Sequence, residues 1–228
     1  MNRAHGNMYD FVTHVDSPIT GCPHRCRYCY ILSQPGGLKK MDVAELHCPL
    51  TNYGKKKIIF IGHQGDMFST LIPERYVEAV LENCLKYPEN TYLFQTKNPE
   101  RYIKFVMHLP VNAILGTTIE TNRQDLVEKV SMAPSIRSRV AGMIQVKKYA
   151  TEQSLKWQFF VTIEPIMQFD REPFIELIDN IKPTFIAIGA DSKKHQIEEP
   201  TMEQVLDLAK ILQTRYDIRR KRNLARLV

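Results

Sequence analysis

An α/β fold built from parallel β/α units is what this sequence predicts, and three observations predict it. Six short runs are apolar and rich in β-branched residues. Each is followed by a polar turn. Each turn leads into a stretch whose apolar residues recur at helical spacing. The runs are nearly continuous in their apolarity rather than alternating, as expected of strands covered on both faces.

In chain order the predicted strands occupy 10–15, 57–62, 91–96, 113–118, 159–163 and 185–189. The first predicted helix, 73–85, opens with Pro73 at its N-terminus and repeats Val77, Val80, Leu81 and Leu85 on one face. A short helix follows at 99–107. Two more, 123–130 and 136–149, are parted by Pro134. Helices over 172–181 and 201–216 complete the set. Thr201 with Gln204 three residues on forms a capping-box pattern. Two architectures fit these six units: an open doubly wound sheet, or a partial six-stranded barrel. In both, chemistry belongs at the C-terminal strand ends. The polar segments 62–66, 96–98, 118–122, 164–165 and 189–192 all lie there.

The 228 residues suffice for one domain with a well-buried core. No apolar run approaches the roughly 18 residues that a membrane span needs, and no apolar stretch follows Arg3 as a signal peptide requires. A cytoplasmic location with no membrane partner is the expectation. The net charge of +6 is unevenly placed. Beyond residue 214, Arg215, Arg219, Arg220, Lys221, Arg222 and Arg226 face Asp217 alone, which leaves the rest of the chain nearly neutral. The chain therefore divides into a single domain over 1–214 and a basic tail over 215–228. The plain reading of that tail is a solvated helix end; the functional one is contact with a nucleic acid or another anion.

Three of the five cysteines, Cys22, Cys26 and Cys29, fall within eight residues as C-x3-C-x2-C, in the loop after the first predicted strand. An odd count argues against a disulfide framework. Thiolates so spaced select zinc or an iron–sulfur cluster. A structural zinc wants a fourth ligand, drawn from His24, His47, Cys48 or Cys84, and zinc sites usually come as paired knuckles. Three thiolates on a 4Fe–4S cubane leave one iron open for a cofactor or substrate. Cys84, among Val80, Leu81 and Leu85, reads as a small core residue.

The segment Gly21-Cys22-Pro23-His24-Arg25-Cys26-Arg27-Tyr28-Cys29, with its aromatic residue before the third cysteine, resembles the radical S-adenosylmethionine superfamily. The resemblance implies a partial (β/α)6 TIM-like barrel. It implies a 4Fe–4S cluster on Cys22, Cys26 and Cys29, whose open iron chelates S-adenosylmethionine. It also implies reductive cleavage of that cofactor to a 5′-deoxyadenosyl radical that abstracts hydrogen from substrate, with an electron donor such as flavodoxin or ferredoxin. By position, Tyr28 lies beside the adenine. The superfamily's Gly-Gly-Glu-like turn corresponds to 62–66, which keeps glycines and an acid but departs from the pattern; it assigns Gly65 and Asp66 to the methionine amine. Lys97 is placed to pair with the carboxylate, and Thr118 and Glu120 to meet the ribose hydroxyls or that carboxylate. Glu164 and Asp191 are the candidates for substrate contact.

Within the superfamily, residues 8–200 resemble a compact set carried by phages and mobile elements, through Thr96-Lys97-Asn98-Pro99, Gly116-Thr117-Thr118-Ile119-Glu120-Thr121-Asn122-Arg123, Thr162-Ile163-Glu164-Pro165 and Ile188-Gly189-Ala190-Asp191-Ser192. That set has some likeness to spore photoproduct lyase, which acts on DNA. A nucleic-acid base or nucleotide is accordingly the expected substrate. The competing reading is a zinc-stabilised nucleic-acid-binding module without catalysis. A barrel that keeps the cluster but has lost turnover is a third, motivated by the altered turn at 62–66.

Overall fold

The computed structural model describes residues 1–34, 36–193 and 195–228. Its strands are β1 (Asn2–Arg3), β2 (His14–Asp16), β3 (Ile19–Thr20), β4 (Glu45–Leu46), β5 (Ile58–Ile61), β6 (Thr91–Thr96), β7 (Ala113–Thr118), β8 (Gln158–Ile163), β9 (Phe185–Ile188) and β10 (Asp217–Arg220). The main sheet has the order β1-β2-β5-β6-β7-β8-β9-β10. β1 pairs antiparallel with β2, and every other neighbour in that sheet is parallel. β3 and β4 form a separate antiparallel ribbon. The helices are α1 (Gly37–Asp42), α2 (Glu74–Leu85), α3 (Gln124–Glu128), α4 (Ile136–Glu152), α5 (Arg171–Ile181) and α6 (Met202–Gln213). The helix expected at 99–107 is a 3-10 helix, Pro99–Phe105. The Thr201–Gln204 capping box is present at the start of α6. Among the described residues no helix is long and apolar enough to cross a membrane.

Alternate residues of each strand feed two cores. Ile59, Ile61, Phe94, Leu115, Val161, Ile163 and Ile188 meet the helices. Val15, Phe60, Leu93, Ile114, Phe160, Phe185 and Ala187 face the other way. Covering both faces is what makes these strands read as apolar throughout.

Two segments depart from expectation for physical reasons. The run 10–15 is apolar, yet only its end is strand: Val12 turns back on Tyr9 through a 3.1 Å backbone bond, and both side chains plug the inner core. The basic segment expected as a tail instead supplies β10, a further parallel strand beside β9. Only Ile218 there is apolar. Arg219 takes the place of another apolar residue by lying over the rings of Phe11 and Phe185, 4.4 and 3.8 Å from their centroids. The segment is thus part of the sheet, not a solvated helix end.

Candidate active site at the strand ends

The cysteine loop is tied down along its length. Cys22 N–H donates to Met41 O at 2.9 Å, Arg27 N–H to Val130 O at 2.8 Å, and Met132 N–H to His24 O at 2.6 Å. The loop begins at Gly21, whose φ of +116° suits glycine, and a Cβ there would press on the backbone of Val43. Gly65 packs against the carbonyl of Gly21 in turn, with room for a Cβ only at 3.1 Å. Gly65 therefore allows the close approach of the 62–66 turn to the cysteine loop.

Cys22, Cys26 and Cys29 line one cavity of about 650 Å³ at the C-terminal strand ends. Tyr28, Gly65, Asp66, Lys97, Thr118, Glu164 and Asp191 line it too. Burial pushes the Cys22 and Cys29 thiols up, and the charge of Asp66 adds to this at Cys22. Thiols held so are acids waiting for a cation, because a bound metal takes the thiolate. The Cys26 Sγ lies 3.1 Å from Ser131 Oγ in a buried contact. Among the described residues no three His, Cys, Asp or Glu groups converge on a single ion position. The donor set is three thiols sharing one cavity wall, which fits a cluster that offers each thiolate its own iron.

Asp66 is buried and fully engaged. Its Oδ1 accepts from Thr96 Oγ1 at 2.7 Å and Phe68 N–H at 3.1 Å. Its Oδ2 accepts from Lys97 N–H at 2.8 Å and sits 2.8 Å from His24 Nε2. A carboxylate has about four acceptor positions, so none is left over. Burial raises this carboxyl, but the bonds from His24, Thr96 and Lys97 outweigh it and hold it below the usual range. The geometry makes Asp66 the clamp between the cysteine loop and the ends of β5 and β6, where position alone assigned it to an amine.

Glu120 is completely buried beyond the end of β7. Lys97 Nζ meets its Oε1 at 2.6 Å, and Arg139 Nη1 on α4 meets its Oε2 at 2.7 Å. The Tyr28 hydroxyl donates to the same Oε1, and Lys97 Nζ stands 5.3 Å from the centroid of the Tyr28 ring. Burial alone would raise the Glu120 carboxyl, but Arg139 and Lys97 bring it down to about 2. Glu120 thus orients Lys97 and Tyr28 from behind the cavity, where position had assigned it to ligand contact. Thr118 Oγ1, on the cavity wall, accepts from Gln95 Nε2 at 3.0 Å.

Glu164 lies beyond β8 and draws both chain ends together. Its Oε1 accepts from Asn7 Nδ2 at 2.8 Å and Asn223 Nδ2 at 2.7 Å; its Oε2 pairs with Lys221 Nζ at 2.7 Å. Asn223 N–H donates to Asn7 Oδ1 at 3.1 Å. Lys221 lines the cavity 4.5 Å from the centroid of the Tyr9 ring. The Tyr9 hydroxyl lies 2.6 Å from Gln95 Oε1 and 2.7 Å from Thr162 Oγ1. Asp191 holds His195 by its Nδ1 at 2.7 Å and the Lys193 N–H at 3.1 Å. Burial raises its carboxyl, but these bonds from His195 and Lys193 bring it lower.

The cavity therefore gathers the three cysteines and every candidate cofactor or substrate contact except Glu120, which stands behind the wall; His47, Cys48 and Cys84 do not line it. Sequence reasoning missed Arg139, Tyr9, Asn7 and Asn223, and saw Lys221 only as tail charge. Arg139 did leave a signal: it stands with Ile136, Val140 and Met143 on the buried face of α4, where a lone cation needs a partner. Asn7 and Asn223 left none.

Comparison with known proteins places this fold. A family model described as "Protein of unknown function (DUF5131)" matches residues 9–143, and the chain belongs to that family. No curated protein sequence matches it. A spore photoproduct lyase mutant with bound AdoMet and dinucleoside spore photoproduct superposes with a TM-score of 0.58 at 13% identity, over 92% of this chain and 64% of that one. Streptococcus suis SuiB bound to S-adenosylmethionine gives 0.54 at 13%, over 91% and 47%. SuiB bound to the precursor peptide SuiA gives 0.57 at 11%, over 94% and 50%. This chain thus spans about two thirds to one half of the length of these proteins. The architecture they share with it is the TIM-like partial barrel, a mostly parallel sheet flanked by helices.

Proposed function

We propose that this member of the DUF5131 family is a radical S-adenosylmethionine enzyme of the cytoplasm, acting from a single domain. The observation that carries the reading is the C-x3-C-x2-C triplet on the wall of a strand-end cavity, in a fold shared with proteins that bind S-adenosylmethionine. A 4Fe–4S cluster on Cys22, Cys26 and Cys29, when bound, supplies the electron that splits S-adenosylmethionine into methionine and a 5′-deoxyadenosyl radical. The electron comes from a carrier such as flavodoxin or ferredoxin.

The chain's own residues bind, orient and shield. Lys97 offers the cofactor carboxylate the N–H groups that Glu120 does not take. Arg139 offsets the charge of Glu120, so the group of three carries one net positive charge and favours an anion. Tyr28 gives the adenine an aromatic neighbour, and its hydroxyl is fixed by Glu120. The His24–Asp66 clamp keeps the cysteine loop against the sheet. Aromatic walls from Tyr9, Tyr30 and Phe60 keep water from the reacting centre. The substrate class favoured is a nucleic-acid base or nucleotide, in line with the dinucleoside bound by the spore photoproduct lyase neighbour.

The test is anaerobic reconstitution with iron and sulfide, followed by dithionite and S-adenosylmethionine. The expected product is 5′-deoxyadenosine from the wild type and none from Cys26→Ala. Product from both proteins, or from neither in the presence of DNA, RNA and nucleotides, contradicts the reading.

A further inference from the structure

The cavity contains two lysines built alike. Lys97 pairs with Glu120 at 2.6 Å and stands 5.3 Å over the Tyr28 ring. Lys221 pairs with Glu164 at 2.7 Å and stands 4.5 Å over the Tyr9 ring. Both residues line the same cavity. They sit apart on the sheet, one following β6 and the other following β10. The function proposed above gives the first a ligand, the cofactor carboxylate, and leaves the second without one.

We propose that Lys221 anchors an oxyanion, a phosphate or a carboxylate, carried by the substrate. The inference rests on the radical reading for the role of Lys97 and on geometry for Lys221. Glu164 meets Lys221 as an ion pair at 2.7 Å, and no other acidic group pairs with its ammonium among the described residues. Glu164 is itself restrained, because the amides of Asn7 and Asn223 occupy its other oxygen. Gln95 adds a donor on the same wall: its carbonyl is taken by Tyr9, and Thr118 uses one of its two N–H groups. Lys221 and Gln95 thus present spare N–H groups on this wall, which a ligand rich in acceptors satisfies.

A purely structural role accounts for less. Desolvating an ion pair costs several kcal/mol, and a packed apolar pair fastens a strand edge at least as well. Here the charge is kept at the wall of a cavity, with only 11% of the lysine side chain exposed. The neighbouring cations do not serve a long anionic polymer instead. Arg219 is spent on Phe11 and Phe185, and Arg226 on Glu199. Of the segment's cations only Lys221 lines the cavity, where it is placed to meet a single anionic group.

The experiment is calorimetric titration of the full chain with two matched pairs of probes, AMP against adenosine and succinate against succinamide. The wild type is expected to prefer the anionic member of at least one pair by about tenfold. Which pair responds tells phosphate from carboxylate. Lys221→Gln is expected to erase the preference, Lys221→Arg to keep it, and Arg222→Gln, an exposed neighbour, to keep it. Far-ultraviolet circular dichroism shows that each variant is folded, and retention by Lys221→Arg separates lost charge from lost structure. No preference in the wild type, or the same preference in Lys221→Gln, overturns the proposal. Failure of the wild-type enzyme to form 5′-deoxyadenosine strikes the radical reading alone and leaves this titration standing.

Discussion

The two lysines rest on different foundations. Lys97 is held by Glu120, which is fully buried, on the end of a central strand, and backed by a second cation from α4. Lys221 is held by Glu164, whose side chain is 18% exposed, and which is braced by two amides from segments 216 positions apart in the chain. The first arrangement is built into the core and carries one net positive charge. The second is electrically neutral and depends on the two chain ends meeting. An anion therefore finds a preorganised cation at Lys97. At Lys221 the proposed anion would compete with Glu164, whose position depends on Asn7 and Asn223 at the two chain ends.

Variants sharpen this comparison, the largest effect first. Arg139→Ala leaves Glu120 buried beside Lys97 alone and is expected to cost about 3–5 kcal/mol in urea unfolding, the penalty for breaking a buried pair. Lys221→Gln, on a pair whose side chains are 11% and 18% exposed, is expected to cost less, about 1–3 kcal/mol, because Glu164 keeps its two amide donors. Equal costs would erase the distinction between core-built and end-built lysines.

Acid tests the first arrangement directly. The Glu120 carboxyl lies near 2 when folded and near 4.5 as its ordinary value. A lowered value means stabilisation that is fully present above about 4.5 and lost as pH falls towards 2. The contribution is on the order of 3 kcal/mol. Glu120→Gln is expected to be less stable at pH 7 and to lose less between pH 5 and pH 2. An unchanged acid profile in that variant would show that Glu120 does not carry this dependence.

Asp66→Asn comes next. The amide keeps one acceptor oxygen and turns its NH2 either towards Thr96 Oγ1 and the Phe68 N–H or towards the Lys97 N–H and His24, so a loss of roughly 1–3 kcal/mol is expected. Wild-type stability in that variant would remove Asp66 as the clamp. The smallest effect belongs to the surface pair Lys104–Glu74, whose side chains are 60% and 52% exposed. Lys104→Ala is expected to change stability by less than about 0.5 kcal/mol, and a larger loss would show that exposed pairs here carry more than their setting allows.

The same contrast decides what could be read from sequence. β6 and β7 were legible because burial on both faces leaves an uninterrupted apolar run. The Thr201–Gln204 box was legible because it is a purely local device. The cysteine triplet was legible for the same reason, and the polar strand ends marked the cavity around it. β10 was hidden because aromatic rings accept Arg219 where a strand normally places an apolar side chain. The first strand was misplaced because Tyr9 and Val12 are apolar in order to fill the inner core, not to form a ladder. The surroundings of Asp66 and Glu120 were out of reach because position in a motif says where a carboxylate lies and nothing of how many donors surround it. The Asn7–Glu164–Asn223 closure joins residues from opposite ends of the chain, which no local pattern records.

In the proposed function the three thiols hold a redox-active cluster with an open iron. Electron paramagnetic resonance of the dithionite-reduced, anaerobically reconstituted protein tests it most directly, with and without S-adenosylmethionine. The account predicts a 4Fe–4S signal that shifts when S-adenosylmethionine is added and is absent from Cys26→Ala. A protein that takes up zinc and rejects iron, or a cluster signal indifferent to S-adenosylmethionine, would contradict it.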